Sequence, residues 1–75
     1  MNQLSLDFAR AVYRARVLKG LSQEKTAELA GISTGWLQHI EKGEANPSLS
    51  NCARLAAALD LDLNQFVPRG GAPGA

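Results

Sequence analysis

Cysteine, histidine and tryptophan each occur once in the 75 residues. A lone Cys52 cannot close an internal disulfide, and Cys52 with His39 cannot make a Cys/His ligand cluster, so no metal is expected. No apolar stretch approaches the ~20 residues that span a bilayer. The opening Met1-Asn2-Gln3-Leu4 lacks the cationic start and apolar core of a secretory signal. A reduced, cytoplasmic setting without a membrane fits these absences. A glycine-rich phosphate loop and a nucleophile–base pair are missing as well, so neither enzymatic activity nor a cofactor is expected. β-Branched residues nowhere alternate with polar ones for long, which leaves helices broken by glycine and proline.

What is present is 45% hydrophobic and 20% charged, enough apolar content to exclude disorder for the body of the chain. One domain of this size buries only ~60% of its unfolded surface, so burial against a second copy would help. The formal net charge is +1, unpromising for a nucleic-acid binder until its distribution is considered. Residues 1–25 hold Arg10, Arg14, Arg16, Lys19 and Lys25 against Asp7 and Glu24. Residues 43–67 hold Arg54 against Glu44, Asp60 and Asp62. An electrically lopsided molecule is expected, whose basic side attracts phosphate, although a solvated helix face accounts for the same charges.

Leu4, Phe8 and Val12, with Ala11 and Ala15, recur at helical spacing. Val17 and Leu18 extend that apolar side, and Lys19-Gly20 stops a first helix of about Leu4 to Lys19. Ser22 caps a second, about Gln23 to Ala30, with Glu24 near its positive end and Gly31 as its stop. Position 25 is Lys25, so a full capping box is not available. Ser33 caps a third helix, about Thr34 to Lys42, ending at Gly43. After the loop Glu44-Ala45-Asn46-Pro47, Ser48 caps a fourth, where Leu49, Cys52, Leu55, Ala56 and Leu59 form a stripe. Asp62 can cap a last turn from Leu63 to Val67. Residues 1–67 thus make one domain, and the Gly/Pro-rich tail 68–75 is expected to be disordered.

Gln23 to Lys42 reads QEKTAELAGISTGWLQHIEK. Two short helices meet at Ala30-Gly31-Ile32, where a sharp reversal needs a residue that accepts positive φ. Ala27 is small enough for the helices to cross closely, and Ile32, Leu37 and Ile40 give the second an apolar inner side. This is a helix-turn-helix arrangement, whose second helix enters the DNA major groove. Leu21-Ser22-Gln23-Glu24, Ala27, Ala30-Gly31-Ile32-Ser33, Trp36-Leu37, Ile40-Glu41-Lys42-Gly43 and Asn46-Pro47-Ser48-Leu49 together resemble the XRE family, the phage-repressor type of helix-turn-helix. The likeness continues through Leu55-Ala56 and Ala58-Leu59 to Leu63 and Phe66, about residues 8–67. It implies an all-α fold, a compact five-helix bundle of lambda-repressor-like type, and operator binding as a dimer. Two positions depart from the family pattern. Thr26 stands where a large aliphatic residue is usual, and Leu29 where a polar one is; either the apolar contact has moved around the helix or Leu29 faces a partner.

On a recognition helix the N-terminal positions and those one turn later point into the groove. That selects Ser33, Thr34, Gly35, Gln38 and His39 for base contacts. Gln38 presents a donor and an acceptor to adenine. His39 can donate to guanine or to a phosphate, the latter strengthened by protonation. Thr34 offers a hydroxyl and a methyl group. The resemblance matches the family's base readers to Thr34, Gly35 and His39, and its phosphate contact to Gln23, where the positive helix end assists. Glycine within a helix costs about 1 kcal/mol relative to alanine; at Gly35 either the backbone approaches DNA closely or the residue is a tolerated defect. Trp36 is either core or an edge residue whose indole N–H reaches a phosphate, a role the family often gives an aromatic here. Lys42 with the Gly43 backbone is a further phosphate candidate, and Arg10, Arg14 and Lys19 are candidates for the flanking backbone. Glu41 is expected to tie the bundle together through an arginine of the first helix. Cys52 is expected to be a buried small hydrophobe rather than a redox sensor.

These residues point to a sequence-specific, double-stranded-DNA-binding transcriptional regulator. It is expected to act as a homodimer on a palindromic operator with half-sites about one helical turn apart. A repressor, a restriction-modification controller and an antitoxin with its toxin partner all fit. Leu59, Leu61, Leu63, Phe66 and Val67 are the candidate dimer surface, unless all five complete the monomer core. The alternative is a protein-interaction module that keeps the fold without operator binding, which salt dependence would separate.

Overall fold

The computed structural model describes residues 3–63. Among them are four helices and no strand: α1 (Gln3–Leu18), α2 (Gln23–Ala30), α3 (Thr34–Glu41) and α4 (Leu49–Leu59). The count is thus four rather than five; of the expected last turn only Leu63 is described, and residues 64–67, like the tail 68–75, lie outside.

The three serines start the helices as their spacing requires. Ser22 Oγ accepts from the Lys25 N–H at 2.9 Å, Ser33 Oγ from Trp36 at 3.0 Å, and Ser48 Oγ from Asn51 at 3.1 Å. Each bond satisfies an amide that the helix itself leaves unpaired. Gly31 ends α2 at φ 72°, a conformation that side chains resist. There the Gly31 and Ile32 amides bond back to Glu28 and Ala27 and turn the chain into α3. At eight residues each, α2 and α3 are too short to stand alone. Packing holds them: α2 lies against α4 and α3, and α1 against α3 and α4.

The core joins Phe8 and Val12 of α1, Ala27 and Ala30 of α2, Leu37 and Ile40 of α3, Ala45 of the loop, and Leu55 and Leu59 of α4. Ala15, Leu21, Ile32, Trp36, Cys52, Ala58, Leu61 and Leu63 pack half-buried around it. The Leu4 side chain lies outside the described part. Three apolar expectations are overturned. Val17 and Leu18 do not extend the buried side of α1; their rotation about the helix carries them to the outer face, and Leu21 in the turn closes the core instead. Leu49 is 78% exposed, because it opens α4 before the inward stripe begins at Cys52. Leu59 is 2% exposed and belongs to the core of the single chain, so it offers almost no surface to a second copy.

Candidate nucleic-acid interface

Glu41, at the end of α3, organises the exposed side of the helix-turn-helix. Its carboxylate accepts from Arg16 Nε at 2.7 Å and Nη2 at 3.1 Å. Arg16 Nη1 also donates to the Leu21 carbonyl at 2.9 Å. The arginine expected to hold Glu41 is therefore Arg16. The two side chains are only 13% and 6% exposed, and the hydrogen bond from Arg16 to Glu41 raises the Arg16 pKa above its ordinary value against the opposing cost of burial. Gln23 Nε2 donates to the same carboxylate at 3.0 Å, and Gln38 Nε2 donates to Gln23 Oε1 at 3.3 Å. A buried ion pair thus fixes one amide at the head of α2, which in turn steers a second amide on α3.

Gln38 is exposed, Gln23 half-buried, and both line a shallow depression with Arg16, Ser22, Glu24 and Thr34. Ser33 is exposed and Thr34 half-buried at the start of α3. Gly35 is exposed, and a Cβ there would meet nothing within 4 Å. His39 is exposed, with Nδ1 3.2 Å from Glu44 Oε1. Lys42 is exposed as the C-cap of α3. Ser33, Thr34, Gly35, Gln38, His39 and Lys42 therefore lie along α3 and its two ends, and Gln23 meets them from the head of α2 through Gln38.

Four other candidates stand apart. Trp36 is half-buried against the core, and its indole Nε1 is buried with no hydrogen-bond partner. That N–H does not face outward to a phosphate; the bulk of the indole has drawn it inward. Lys19 is engaged by Asp60, Nζ to Oδ2 2.8 Å, and joins the end of α1 to the end of α4. Arg10 and Arg14 line a separate groove with Tyr13, Val17, Leu18 and Glu41. The expected lopsided charge is largely cancelled within the fold, because Arg16, Lys19 and Lys25 pair with Glu41, Asp60 and Glu28. Sequence inspection missed Arg54, whose guanidinium lies beside Gly31 at the turn; only the register of α4 against α2 reveals it. Cys52 is half-buried, its thiol pushed up by burial, with Sγ 3.9 Å from the Pro47 carbonyl. Among the described residues no group of three or more His, Cys, Asp and Glu could hold a metal ion.

A family model described as helix-turn-helix matches residues 12–66. Control protein C.SmaI of Serratia marcescens is 33% identical over 63 residues, which span 84% of this chain and 75% of that protein. The crystal structure of the restriction-modification controller protein C.AhdI from Aeromonas hydrophila aligns with a TM-score of 0.76 at 35% identity, covering 84% of this chain and 96% of that one. Motif, turn geometry and similarity agree: the chain belongs to the XRE-type helix-turn-helix family of DNA-binding proteins.

Proposed function

We propose that this chain is a sequence-specific transcription regulator that binds double-stranded DNA as a homodimer on a palindromic operator. The observation that carries the proposal is the chain Arg16–Glu41–Gln23–Gln38. The ion pair alone would tie α1 to α3. Its extension to two amides at the open edge of α3 does nothing for the core, but it fixes hydrogen-bonding groups where base edges and phosphates would lie. Amides already oriented lose less side-chain freedom on binding. Ser33, Thr34, Gly35, Gln38 and His39 run along the major groove, with Gln23 and Lys42 on the backbone at either end. Similarity to two control proteins, one of them a restriction-modification controller, supports that regulatory setting over the repressor and antitoxin alternatives.

One such helix reads few base pairs, so two copies must add their contacts, with recognition helices about 34 Å apart. Leu61 and Leu63, half-buried at the edge of the core, form the proposed dimer surface with Phe66 and Val67, which lie outside the described residues. Selection of bound fragments from a random DNA pool is the test. A palindromic consensus is expected. Gln38→Ala and His39→Ala should each cost about 1–3 kcal/mol on that consensus, whereas Gln23→Ala should weaken every sequence, with a further loss on the consensus because Gln23 steers Gln38. No enrichment, or equal losses for all three on random DNA, would remove the assignment of base readers. Sedimentation as a strict monomer with operator present would remove the homodimer.

A further inference from the structure

We infer that the outer face of α1 is a docking surface for an acidic, apolar helix of a second protein. Arg10, Tyr13, Arg14, Val17 and Leu18 follow one another at i, i+3, i+4, i+7 and i+8, which sets all five on one side of a helix. The core takes a different side of α1, through Phe8, Val12 and Ala15. Tyr13 is 53% exposed, Val17 51% and Leu18 79%. Together with Glu41 of α3, the five line one open groove. The Arg16 guanidinium lies over the Tyr13 ring, 5.4 Å from its centroid, so one end of the buried ion pair also fixes this aromatic.

Charge decides what the groove accepts. No ion pair among the described residues engages Arg10 or Arg14, whereas Arg16, Lys19 and Lys25 are each held by a carboxylate. Glu41, the groove's own carboxylate, is buried and bonded to Arg16 and Gln23, and does not face the other two arginines freely. The groove is therefore cationic toward the start of α1 and apolar toward its end. A complementary occupant carries two carboxylates one helical turn apart, followed by large apolar side chains one turn further on. A DNA backbone would satisfy the arginines but leave Tyr13, Val17 and Leu18 uncovered. A second copy offers α2, where Glu24 and Glu28 stand one turn apart beside the exposed Leu29, but Glu28 is engaged by Lys25, which leaves one carboxylate for two arginines. The groove shares Glu41 with the amide chain on the proposed DNA face, so a protein seated there would adjoin the recognition helix without covering it.

The test uses the full chain and a fluorescein-labelled helical peptide of the same 16-residue length as α1, with glutamates four apart and leucines on the next turn. A twin with lysines for glutamates is the control. Anisotropy should show binding of the acidic peptide and not of its twin. Arg10→Glu with Arg14→Glu, and separately Val17→Ser with Leu18→Ser, should each weaken it at least about tenfold, with melting temperatures unchanged and, for the serine pair, DNA affinity unchanged as well. Three results would overturn the inference: equal binding of the two peptides; no binding up to about millimolar concentration; or conversion of a dimer to a monomer by the serine pair. The peptide arm needs no DNA, so its failure is distinguishable from failure of operator binding.

Discussion

Thr26 offers the sharpest test of the packing. It has no exposed surface, and its Oγ1 is buried without a hydrogen-bond partner. The backbone is not at fault, since the Thr26 N–H donates to the Ser22 carbonyl at 3.0 Å. Only the hydroxyl is uncompensated, and burying one unpaired costs about 1–3 kcal/mol. Valine keeps the branching at Cβ, replaces the hydroxyl by a methyl and has nearly the same helix propensity. Thr26→Val is therefore expected to stabilise the fold by about 1–2 kcal/mol. In a domain of this size that raises the melting temperature by about 4–8 °C per kcal/mol. Thr26→Ser keeps the unpaired hydroxyl and loses the methyl, and should destabilise by about 1 kcal/mol. The assay is thermal and urea unfolding of the three proteins at one fixed concentration, because association alters apparent stability. The order Val above Thr above Ser is required. A valine protein no more stable than the parent would refute the reasoning: either the hydroxyl has a partner or the site has no room for a methyl. Operator affinity should not change, since Thr26 faces the core and not the groove.

The remaining predictions concern the charged and exposed positions. Glu41→Ala leaves Arg16 uncompensated in a mostly buried site and should cost about 3–5 kcal/mol in urea unfolding; a loss below about 1 kcal/mol would show that the pair behaves as an exposed one. Gly35→Ala meets no neighbour and should stabilise α3 by about 1 kcal/mol. If α3 approaches DNA with its backbone there, the same variant weakens operator binding, and full affinity in a gel-shift titration would mark the glycine as a helix defect. At Asp60 the hydrogen bond from Lys19, then its charge, lowers the carboxyl pKa. The folded chain binds that proton more weakly than the unfolded one. The pair's contribution is thus complete above the unfolded value of about 3.9 and is lost as pH falls through the lower folded value. Melting curves from about pH 5 downward should show a smaller acid loss in Asp60→Asn than in the parent, and parallel curves would count against the pair.

The parts legible in the sequence are those decided within a few residues. Ser22, Ser33 and Ser48 each bond an amide three residues on, and Gly31 supplies a backbone angle, so local chemistry settles where α2, α3 and α4 begin and where α2 turns into α3. Leu37 and Ile40 face inward because α3 has one apolar side. On α1 the sequence is ambiguous. Apolar residues lie on two faces, Phe8, Val12 and Ala15 on one and Tyr13, Val17 and Leu18 on the other, and only the packing of α3 and α4 chooses between them. Of the long-range ion pairs, that of Glu41 with an arginine of α1 is expected from the sequence, and that of Lys19 is hidden. Lys19 reads as a free cation until Asp60 meets it from the far end of α4. Arg16 could have been singled out among the arginines of α1, because it follows Val12 by one helical turn and so lies at the inner edge. The inward indole N–H of Trp36 has no signature in sequence spacing, since it depends on side-chain rotation.

Folding also changes how strength of DNA binding must arise. The cations of the first 25 residues suggest a broad attractive field, but Arg16, Lys19 and Lys25 are neutralised by partners in the fold. Of the cations outside any ion pair among the described residues, Arg10, Arg14, Lys42 and Arg54, only Lys42 belongs to the proposed DNA face. Each phosphate that a protein neutralises contributes about 0.9 to the slope of log affinity against log salt. A single copy with so few free cations gains little from counterion release and must depend on hydrogen bonds at fixed positions. The Gln23–Gln38 pair is suited to that, because its geometry is set before DNA arrives. Such contacts discriminate well but are few, and doubling them across the proposed two-fold operator would turn weak, selective half-sites into an occupied whole. In the proposed homodimer, association of two copies would then be part of recognition itself, since whatever lowers dimer concentration would lower occupancy by mass action without touching a base contact.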